Sequence, residues 1–248
     1  MPKTELRPFW NNHFKLNWKF GLFLILLICV PRFILVLKAN QTGNYAFIGA
    51  IMFLSALVPF IFLNKTGRKS IGITGTRKIG ALLLSFLVGL AFSLILYFIG
   101  KELYSGSYQN WYTYIAKSYQ IPEGIAGNDK LIMFSVMALT GMIFSPIGEE
   151  LYFRGIVHGS FANSIGEKKA AMVDSLAFAT THVAHFGLVF VSGVWSFHPI
   201  PTLIWVAGMF LASILFFWAK KRSGSLLGAI ICHAGFNLGM IYSIFYLL

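Results

Sequence analysis

Seven long runs of apolar residues alternate with short polar and basic segments along the chain. The runs cover about residues 20–38, 44–63, 79–100, 131–148, 170–190, 200–219 and 225–247. Each run is close to the roughly 20 residues that an α-helix needs to cross the hydrocarbon core of a bilayer. The pattern therefore predicts an all-α fold, a polytopic membrane helical bundle of about seven spans, with six to eight as the range.

The composition supports this prediction. The 248 residues are 57% hydrophobic and only 11% charged, whereas soluble domains carry roughly 25% charged residues. A water-soluble fold of this size could not bury so much apolar surface in its core. No polar linker divides the chain, and no small-residue cleavage site follows the first apolar run. We therefore expect one bundle with a retained first span.

The basic residues are concentrated in alternate loops. A net charge of +12 would suggest a nucleic-acid partner in a soluble protein. Here the lysines and arginines flank apolar runs, which is typical of topology signals and of binding to anionic lipid head groups. Fourteen lie in the N-terminal segment and in the loops near residues 65–78, 168–169 and 220–222, against four on the other side. We therefore expect a multi-pass cell-membrane protein with a cytoplasmic N-terminus, an external C-terminus and no nucleic-acid partner.

The polar clusters divide the chain into two regions. Residues 1–130 hold three predicted spans and an external segment, and residues 131–248 form the predicted catalytic membrane core. The external segment, residues 101–130, is rich in tyrosine and tryptophan and is expected to lie on the membrane interface, partly as a helix. In the first span, Arg32 needs a partner or a kinked and tilted helix, because an arginine in lipid costs about 2.5–3.5 kcal/mol.

The first polar cluster lies at the end of the fourth apolar run and contains Glu149, Glu150 and Arg154. If the helix continues, Glu150 and Arg154 are four residues apart, share a face and can pair. Glu149 then points about 100° away and is free to serve a pocket. Alternatively the helix ends here, and both glutamates contact water or head groups.

Two histidine clusters follow in later spans. Phe178 and His182 share a helix face, as do His233 and Asn237. Ionisable side chains inside a membrane are costly and by default indicate a functional site. A lone histidine that is hydrogen-bonded to a neighbouring helix would also explain His182.

Other residues of the spans have simpler interpretations. Asp174, one turn before Phe178, is either an electrostatic partner of that cluster or a residue near the cytoplasmic end of its helix. Cys29 and Cys232 are interpreted as small core residues, because their spacing fits neither a disulfide framework nor a metal cluster. Small residues that permit close helix packing lie along the last span, at Gly228, Gly235 and Gly239.

Helix lengths test whether the clusters can meet. At 1.5 Å per residue, His233 and His182 lie roughly 12 and 18 Å from the cytoplasmic ends of their spans. Glu149 lies roughly 27 Å along its span, near the cytoplasmic surface of a core about 30 Å thick. We therefore expect the clusters to converge in the cytoplasmic half. A helix break at 146–148 or a thinned membrane would bring Glu149 closer.

Together these side chains contain the parts for metal-free hydrolysis of an amide. Glu149 and a neutral His182 could hold and activate a water molecule, with the carboxylate as general base. His233 and Asn237 could donate hydrogen bonds to the developing oxyanion.

The ordered motifs E-E-x-x-x-R, F-x-x-x-H and H-x-x-x-N, on successive apolar segments, resemble the CPBP family of intramembrane glutamic endopeptidases. This family includes CAAX prenyl proteases and bacteriocin-processing or self-immunity proteins. The resemblance covers roughly the second half of the chain. It implies that Glu149 and His182 position the water, that His233 and Asn237 form the oxyanion site, and that no metal or other cofactor is needed. It implies supporting roles for Glu150, Arg154 and Phe178.

Two other interpretations stay open. A zinc protease could use His182, His185, His233 and Glu149, but the sequence contains no H-E-x-x-H motif, and the three-residue spacing of His182 and His185 fits such a pair poorly. The protein could also act without catalysis, in bacteriocin immunity, as a membrane scaffold or as a transporter. The expected substrate is a membrane-associated peptide or protein. A bacterial peptide precursor that approaches from the cytoplasmic leaflet is preferred over a prenylated protein.

Overall fold

The computed structural model describes residues 5–122 and 124–248. Within these residues every regular element is helical except one short hairpin. The elements follow in the order α1 (Pro8–Asn11), α2 (Trp18–Thr42), α3 (Ala46–Phe62), α4 (Lys65–Ser70), α5 (Ile79–Tyr104), α6 (Trp111–Ser118), α7 (Gly127–Glu150), a π-helical segment (Leu151–Val157), α8 (His158–Ile165), α9 (Glu167–Thr181), β1 (Leu188–Val191), β2 (Val194–Phe197), α10 (Pro199–Ser223) and α11 (Leu226–Tyr246). The predicted all-α bundle is confirmed.

Five helical stretches of the described residues are long and apolar enough to cross a membrane. They are α2, α5, α10, α11 and the stretch Gly127–Ile165, which joins α7 to α8. The second and fifth predicted spans correspond to α3 and α9, which are shorter, at 17 and 15 residues. Large apolar side chains such as Phe47, Leu139 and Leu203 are exposed on the outside of the bundle, where lipid takes the place of water. The chain is a multi-pass membrane protein.

The fifth predicted span ends earlier than expected. α9 stops at Thr181 instead of continuing to about residue 190, and His182 lies just past its last turn. A turn follows in which Gly187 has a φ of +140°, and the antiparallel hairpin of β1 and β2 comes next. Glycine adopts this backbone conformation at little cost. An apolar run by itself does not distinguish a helix from such a turn and strand.

The fourth predicted span has no break. The helix passes through Pro146, widens into the π-helical segment and continues as α8. The proline removes one backbone hydrogen-bond donor from the helix. α7 nevertheless packs closely against α3, as shown by Gly148, where an added Cβ would lie 2.6 Å from the carbonyl oxygen of Met52. Glu149 therefore lies near the middle of the continuous stretch Gly127–Ile165, roughly 24 Å before the end of α8.

Part of the segment 101–130, in which Glu123 lies outside the described residues, packs into the bundle, whereas residues 105–109 and 126–129 are exposed. The expected partial helix is present as α6, but its Trp111 and Tyr112 are fully buried. The ring of Trp111 stacks on Trp205 of α10, with ring centroids 6.1 Å apart. Large aromatic rings suit a core as well as a membrane interface, so the sequence did not distinguish the two positions.

The loops meet at two ends of the bundle. Those that carry most of the basic residues contact one another: Leu226 N donates to the carbonyl of Gly72 at 2.9 Å, and Lys221 Nζ lies 3.2 Å from a carboxylate oxygen of Glu167. We call this the basic end, and it comprises the described segments 5–17, 63–78, 166–169 and 220–225. Lys3, also expected on this side, lies outside the described residues. The opposite end comprises segments 43–45, 105–122, 124–126 and 186–198.

Glycines bring α5 and α11 into backbone contact. A Cβ at Gly235 would lie 2.2 Å from the carbonyl oxygen of Phe86, and one at Gly89 would lie 1.9 Å from that of Cys232. The close packing expected from the last span is therefore confirmed at Gly235. Cys29 and Cys232 are free and buried, as expected of core residues. The contact fixes α11, which carries two of the candidate site residues.

Gly235→Ala is expected to destabilise the bundle, because the added methyl group must displace the backbone of α5. Overpacking of this kind typically costs about 1–3 kcal/mol. Gly80→Ala is the matched control, since a Cβ at that position of α5 meets open space and alanine favours a helix by about 1 kcal/mol over glycine. Thermal unfolding of both purified variants in detergent is the measurement. Equal melting temperatures would contradict the close packing.

Candidate active site

A cavity inside the bundle brings the three polar motifs together. Its volume is about 590 Å³. Glu149 from α7, His182 from the turn after α9, and His233 and Asn237 from α11 all line it, and so does Phe178 of α9. Side chains from three separate helical segments therefore share one space.

Glu149 is almost fully buried, with 2% of its surface exposed. Its Oε1 atom accepts hydrogen bonds from Arg32 Nη2 at 2.9 Å and from the Ser145 hydroxyl at 2.6 Å. Its Oε2 atom has no hydrogen-bond partner among the described residues. One oxygen is thus fixed by a charge pair and a hydroxyl, and the other keeps its full capacity to accept a proton or a hydrogen bond.

Arg32 has the buried partner that its position in the first span required. Its side chain and that of Glu149 are 4% and 3% exposed. The first span thus supplies a residue to the cavity in addition to those from residues 131–248. The sequence indicated that Arg32 needed a partner, but not which one. Buried charges in a membrane pair with one another, and few carboxylates lie within or next to the apolar runs of this sequence. This scarcity could have limited the candidate partners of Arg32.

Glu150 links α7 to α11. Its Oε2 atom lies 3.0 Å from Arg154 Nε, so the predicted pairing of these two residues is confirmed. This distance is that of an ion pair, but the N–H of Arg154 is not aligned to make a directed hydrogen bond. The Oε1 atom of Glu150 lies 2.8 Å from His233 Nδ1. This second contact, which the sequence did not predict, orients the His233 ring.

Arg154 is fully buried in an aromatic environment. Its guanidinium carbon lies 4.4 Å from the ring centroid of Phe178, 5.4 Å from that of Phe216 and 5.7 Å from that of Phe153. Such contacts stabilise a cation when water is excluded. We call this group the aromatic floor; it consists of Phe153, Arg154, Phe178 and Phe216. Lys220 Nζ, from the basic end, donates to the carbonyl of Arg154 at 2.6 Å.

His182 is held from two sides. Its Nδ1 atom lies 2.8 Å from the carbonyl oxygen of Phe178, and because a carbonyl only accepts, Nδ1 carries the hydrogen. In the neutral ring Nε2 is then an acceptor. The rings of His182 and Phe178 lie 4.3 Å apart, and Trp205 Nε1 donates to the carbonyl of His182 at 3.0 Å. The tautomer and the ring position are therefore both fixed.

His233 and Asn237 lie one helical turn apart on α11, and both line the cavity. The His233 ring stacks on Phe216, with centroids 4.5 Å apart and planes 10° apart. Asn237 Nδ2 donates one hydrogen bond to the carbonyl of Gly141 at 2.8 Å, which fixes its amide group. An amide nitrogen carries two hydrogens, so a second donor remains for another acceptor.

Asp174 and His185 lie differently from the four main residues. Asp174 Oδ2 is 2.6 Å from His158 Nδ1, and both residues are buried. Asp174 is thus the partner of His158, which the sequence analysis did not identify as a candidate residue, and not a partner of the His182 cluster. His185 lines the cavity, with its ring 5.3 Å from that of His182. In residues 5–122 and 124–248, no group of three or more His, Cys, Asp or Glu side chains is arranged to hold a metal ion.

Comparison with known proteins identifies the second half of the chain. The family model named Rce1-like, described as Type II CAAX prenyl endopeptidase Rce1-like, matches residues 131–239. These residues form an Rce1-like domain. The resemblance carried by the three ordered motifs is therefore confirmed. The Rce1-like domain indicates a CAAX-type protease of the membrane that acts on a peptide or protein. No curated protein and no solved structure matches the chain.

The Rce1-like domain contains the four main candidate residues but not Arg32. The matched range ends two residues after Asn237 and begins before Glu149. Arg32 and the other cavity residues of α2 and α3 lie outside it. The cavity is thus built by the domain together with α2, α3, Ile115 of α6 and neighbouring residues outside the matched range.

Proposed function

We propose that the protein hydrolyses a peptide bond of a membrane-associated peptide or protein, with a water molecule activated by Glu149 and His182. The observation that carries the proposal is the cavity in which the motifs of the Rce1-like domain meet. Within it, Glu149 keeps one carboxylate oxygen without a partner among the described residues. Glu149 acts as the general base, and His182 accepts the second hydrogen bond of the attacking water.

The two acceptors can orient the attacking water. Glu149 Oε2 and His182 Nε2 each accept one of its hydrogens, which leaves an oxygen lone pair for the carbonyl carbon of the substrate. Arg32 and Ser145 hold the other carboxylate oxygen, so that the carboxylate cannot turn away. As the oxygen–carbon bond forms, the water proton passes to Glu149.

His233 and Asn237 are proposed to stabilise the oxyanion that forms on the substrate. The second N–H of the Asn237 amide is one donor. His233 Nδ1 faces Glu150, so its Nε2 can donate only when both ring nitrogens carry hydrogen, and Glu150 is the counter-ion for that state. Donors fixed before the reaction lower its barrier without reorganisation. Glu149 then returns its proton to the leaving amine, and the carbon–nitrogen bond breaks.

Independence from metal is part of the proposal, and it is supported by the position of Arg32. A divalent cation bound to Glu149 would meet a guanidinium that is already 2.9 Å from that carboxylate. Like charges at such a distance repel each other strongly in a medium of low dielectric constant. Stoichiometric zinc in the purified protein, lost together with activity on chelation, would contradict this part of the proposal.

The test compares peptide termini, by mass spectrometry, in cells that express wild type or Glu149→Gln at equal membrane levels. Termini that depend on the wild type are expected, and they would identify the substrate. Glu102→Gln, which removes an exposed carboxylate from α5, is the control and is expected to leave those termini in place.

A different result would favour a non-catalytic role. If the wild type and Glu149→Gln give the same termini while Glu149→Gln still rescues the phenotype of a deletion strain, the protein acts by binding or transport. The bacteriocin-immunity, scaffold and transporter interpretations would then replace the peptidase.

A further inference from the structure

Another cavity lies at the basic end, where the N-terminal segment meets α2. We call it the N-terminal cavity, and its volume is about 570 Å³. Its lining consists of residues 11–15, Asn17, Lys19, Phe20 and Phe23. The segment before α2 and the first turns of α2 therefore form its walls. None of these residues lines the cavity of the candidate active site, so the proposed peptidase reaction does not account for the N-terminal cavity.

Hydrogen bonds to neighbouring helices hold the walls of the N-terminal cavity in place. Trp10 Nε1 donates to the carbonyl of Ile61, near the end of α3, at 2.9 Å. Asn163 Nδ2 of α8 donates to the carbonyl of Leu16 at 3.3 Å. The backbone of residues 11–15 is therefore fixed at both ends, and the side chains around the cavity keep a defined arrangement.

The polar part of this lining carries positive charge and hydrogen-bond donors. It includes the side chains of Asn11, Asn12, His13, Lys15 and Lys19. In the part of the chain that the structure describes, no aspartate or glutamate lines the cavity. The side chains of Asn11, Asn12 and Lys15 make no hydrogen bond or ion pair with any described residue. Their donors are thus available to an anion, and lysine binds a phosphate group as a point charge.

The apolar part of the lining continues along α2 into the membrane. The rings of Phe14 and Phe23 are stacked, with centroids 5.5 Å apart. Further along α2, Leu27, Val30 and Ile34 are exposed on the outside of the bundle, as Phe23 is. The spacing of four, three and four residues places these side chains on one face of the helix. An apolar stripe therefore leads from the N-terminal cavity along the lipid-facing side of α2.

The N-terminal cavity lies at the level where lipid head groups meet acyl chains. α2 is long and apolar enough to cross the membrane, it begins at Trp18, and the ring of Trp18 is exposed. Tryptophan rings favour this interface. Lys19 Nζ lies 5.8 Å from the centroid of that ring, and long lysine side chains near helix ends reach towards the head groups. The cavity therefore places positive charge beside the head groups of the leaflet at the basic end.

We propose that the N-terminal cavity binds one phospholipid with an anionic head group. The lipid phosphate lies at Lys15 and Lys19, and one acyl chain lies along the apolar stripe that starts at Phe23. A choline head group would bring a cation next to two lysines, with no carboxylate in the described lining to receive it. A free phosphate ion would leave the apolar stripe uncovered. The proposal narrows the general attraction of a basic surface for anionic lipids to one site, and it does not rest on the peptidase function.

Removal of charge tests the site on the purified full chain in detergent, with phosphatidylglycerol as the probe and native mass spectrometry as the measurement of bound lipid. Lys15→Gln/Lys19→Gln is expected to lower the affinity for phosphatidylglycerol by about 30-fold, the contribution expected of two lysines near anionic lipid. The matched control is Lys65→Gln/Lys69→Gln, which removes two charges from exposed positions of the same end, outside the cavity lining. It is expected to bind like the wild type. Equal losses in both double variants would mean a diffuse attraction of the basic end and would overturn the proposal.

Two further probes separate an anionic phospholipid from other ligands. Phosphatidylcholine with the same acyl chains is expected to bind the wild type about as weakly as phosphatidylglycerol binds Lys15→Gln/Lys19→Gln, because its head group has no net charge. Excess inorganic phosphate is expected to leave phosphatidylglycerol bound, because the ion does not cover the apolar stripe. Equal binding of the two lipids would show that charge does not select the ligand, and displacement by phosphate would assign the cavity to a free anion. Either result would overturn the proposal.

Discussion

Glu149→Gln is expected to lower the rate of peptide-bond cleavage by about 10²- to 10⁴-fold, the range that a positioned general base contributes. Glutamine has the shape of glutamate, and its carbonyl oxygen can still accept from Arg32 and Ser145. The side chain therefore keeps its hydrogen-bond partners, although Arg32 loses its counter-ion. When equal amounts of folded protein are compared, the loss of rate is that of the proton acceptor. The measurement is the single-turnover rate of purified protein on a peptide that carries the cleavage site identified in cells.

Two comparisons make this result specific. Glu102→Gln removes a carboxylate of the same size from the exposed surface of α5 and is expected to cleave at the wild-type rate. Asn237→Ala removes a proposed oxyanion donor and is expected to lower the rate by about 10²- to 10³-fold. A Glu149→Gln rate within a few-fold of wild type would mean that another group takes the proton, and the assignment of the general base would be wrong.

The two adjacent glutamates show which contacts of the site the sequence alone could predict and which it could not. Helical spacing was enough to predict that Glu150 pairs with Arg154, because both residues lie on one continuous helix. The same spacing separated Glu149 from that pair and left it for the cavity. The contact of Glu150 with His233 depends on how α7 and α11 pack. That packing follows from backbone approaches such as the one at Gly235, which residue spacing along one helix does not describe.

Helix ends were harder to predict than helix faces. Apolar residues continue through both the end of α9 and the hairpin that follows, so the run suggested a span as far as about residue 190 although the helix ends at Thr181. The sequence left a helix break at Pro146 open, but this residue lies where α3 packs against α7, and the helix continues. In both places tertiary contacts decide the backbone path. These two differences determine where Glu149 and His182 lie in the bundle.

Arg32→Ala is expected to destabilise the folded protein by about 3–5 kcal/mol, the usual effect of removing one partner from a buried ion pair. The side chains of Arg32 and Glu149 are both nearly inaccessible, so the remaining carboxylate would be left without a counter-ion in a medium of low dielectric constant. Thermal or denaturant unfolding in detergent, at equal protein and detergent concentrations, measures the change.

The double variant Arg32→Met/Glu149→Gln separates folding from catalysis. Replacing both charges with uncharged side chains of similar volume is often neutral for stability, so the double variant is expected to recover most of the stability that Arg32→Ala loses. It should nevertheless cleave no faster than Glu149→Gln, because the proton acceptor is still missing. If the double variant were as unstable as Arg32→Ala, the loss would come from packing around α2 and not from an unpaired charge. Recovery of stability without activity would instead show that the unpaired charge causes the instability of Arg32→Ala and that a stable fold without the Glu149 carboxylate does not cleave.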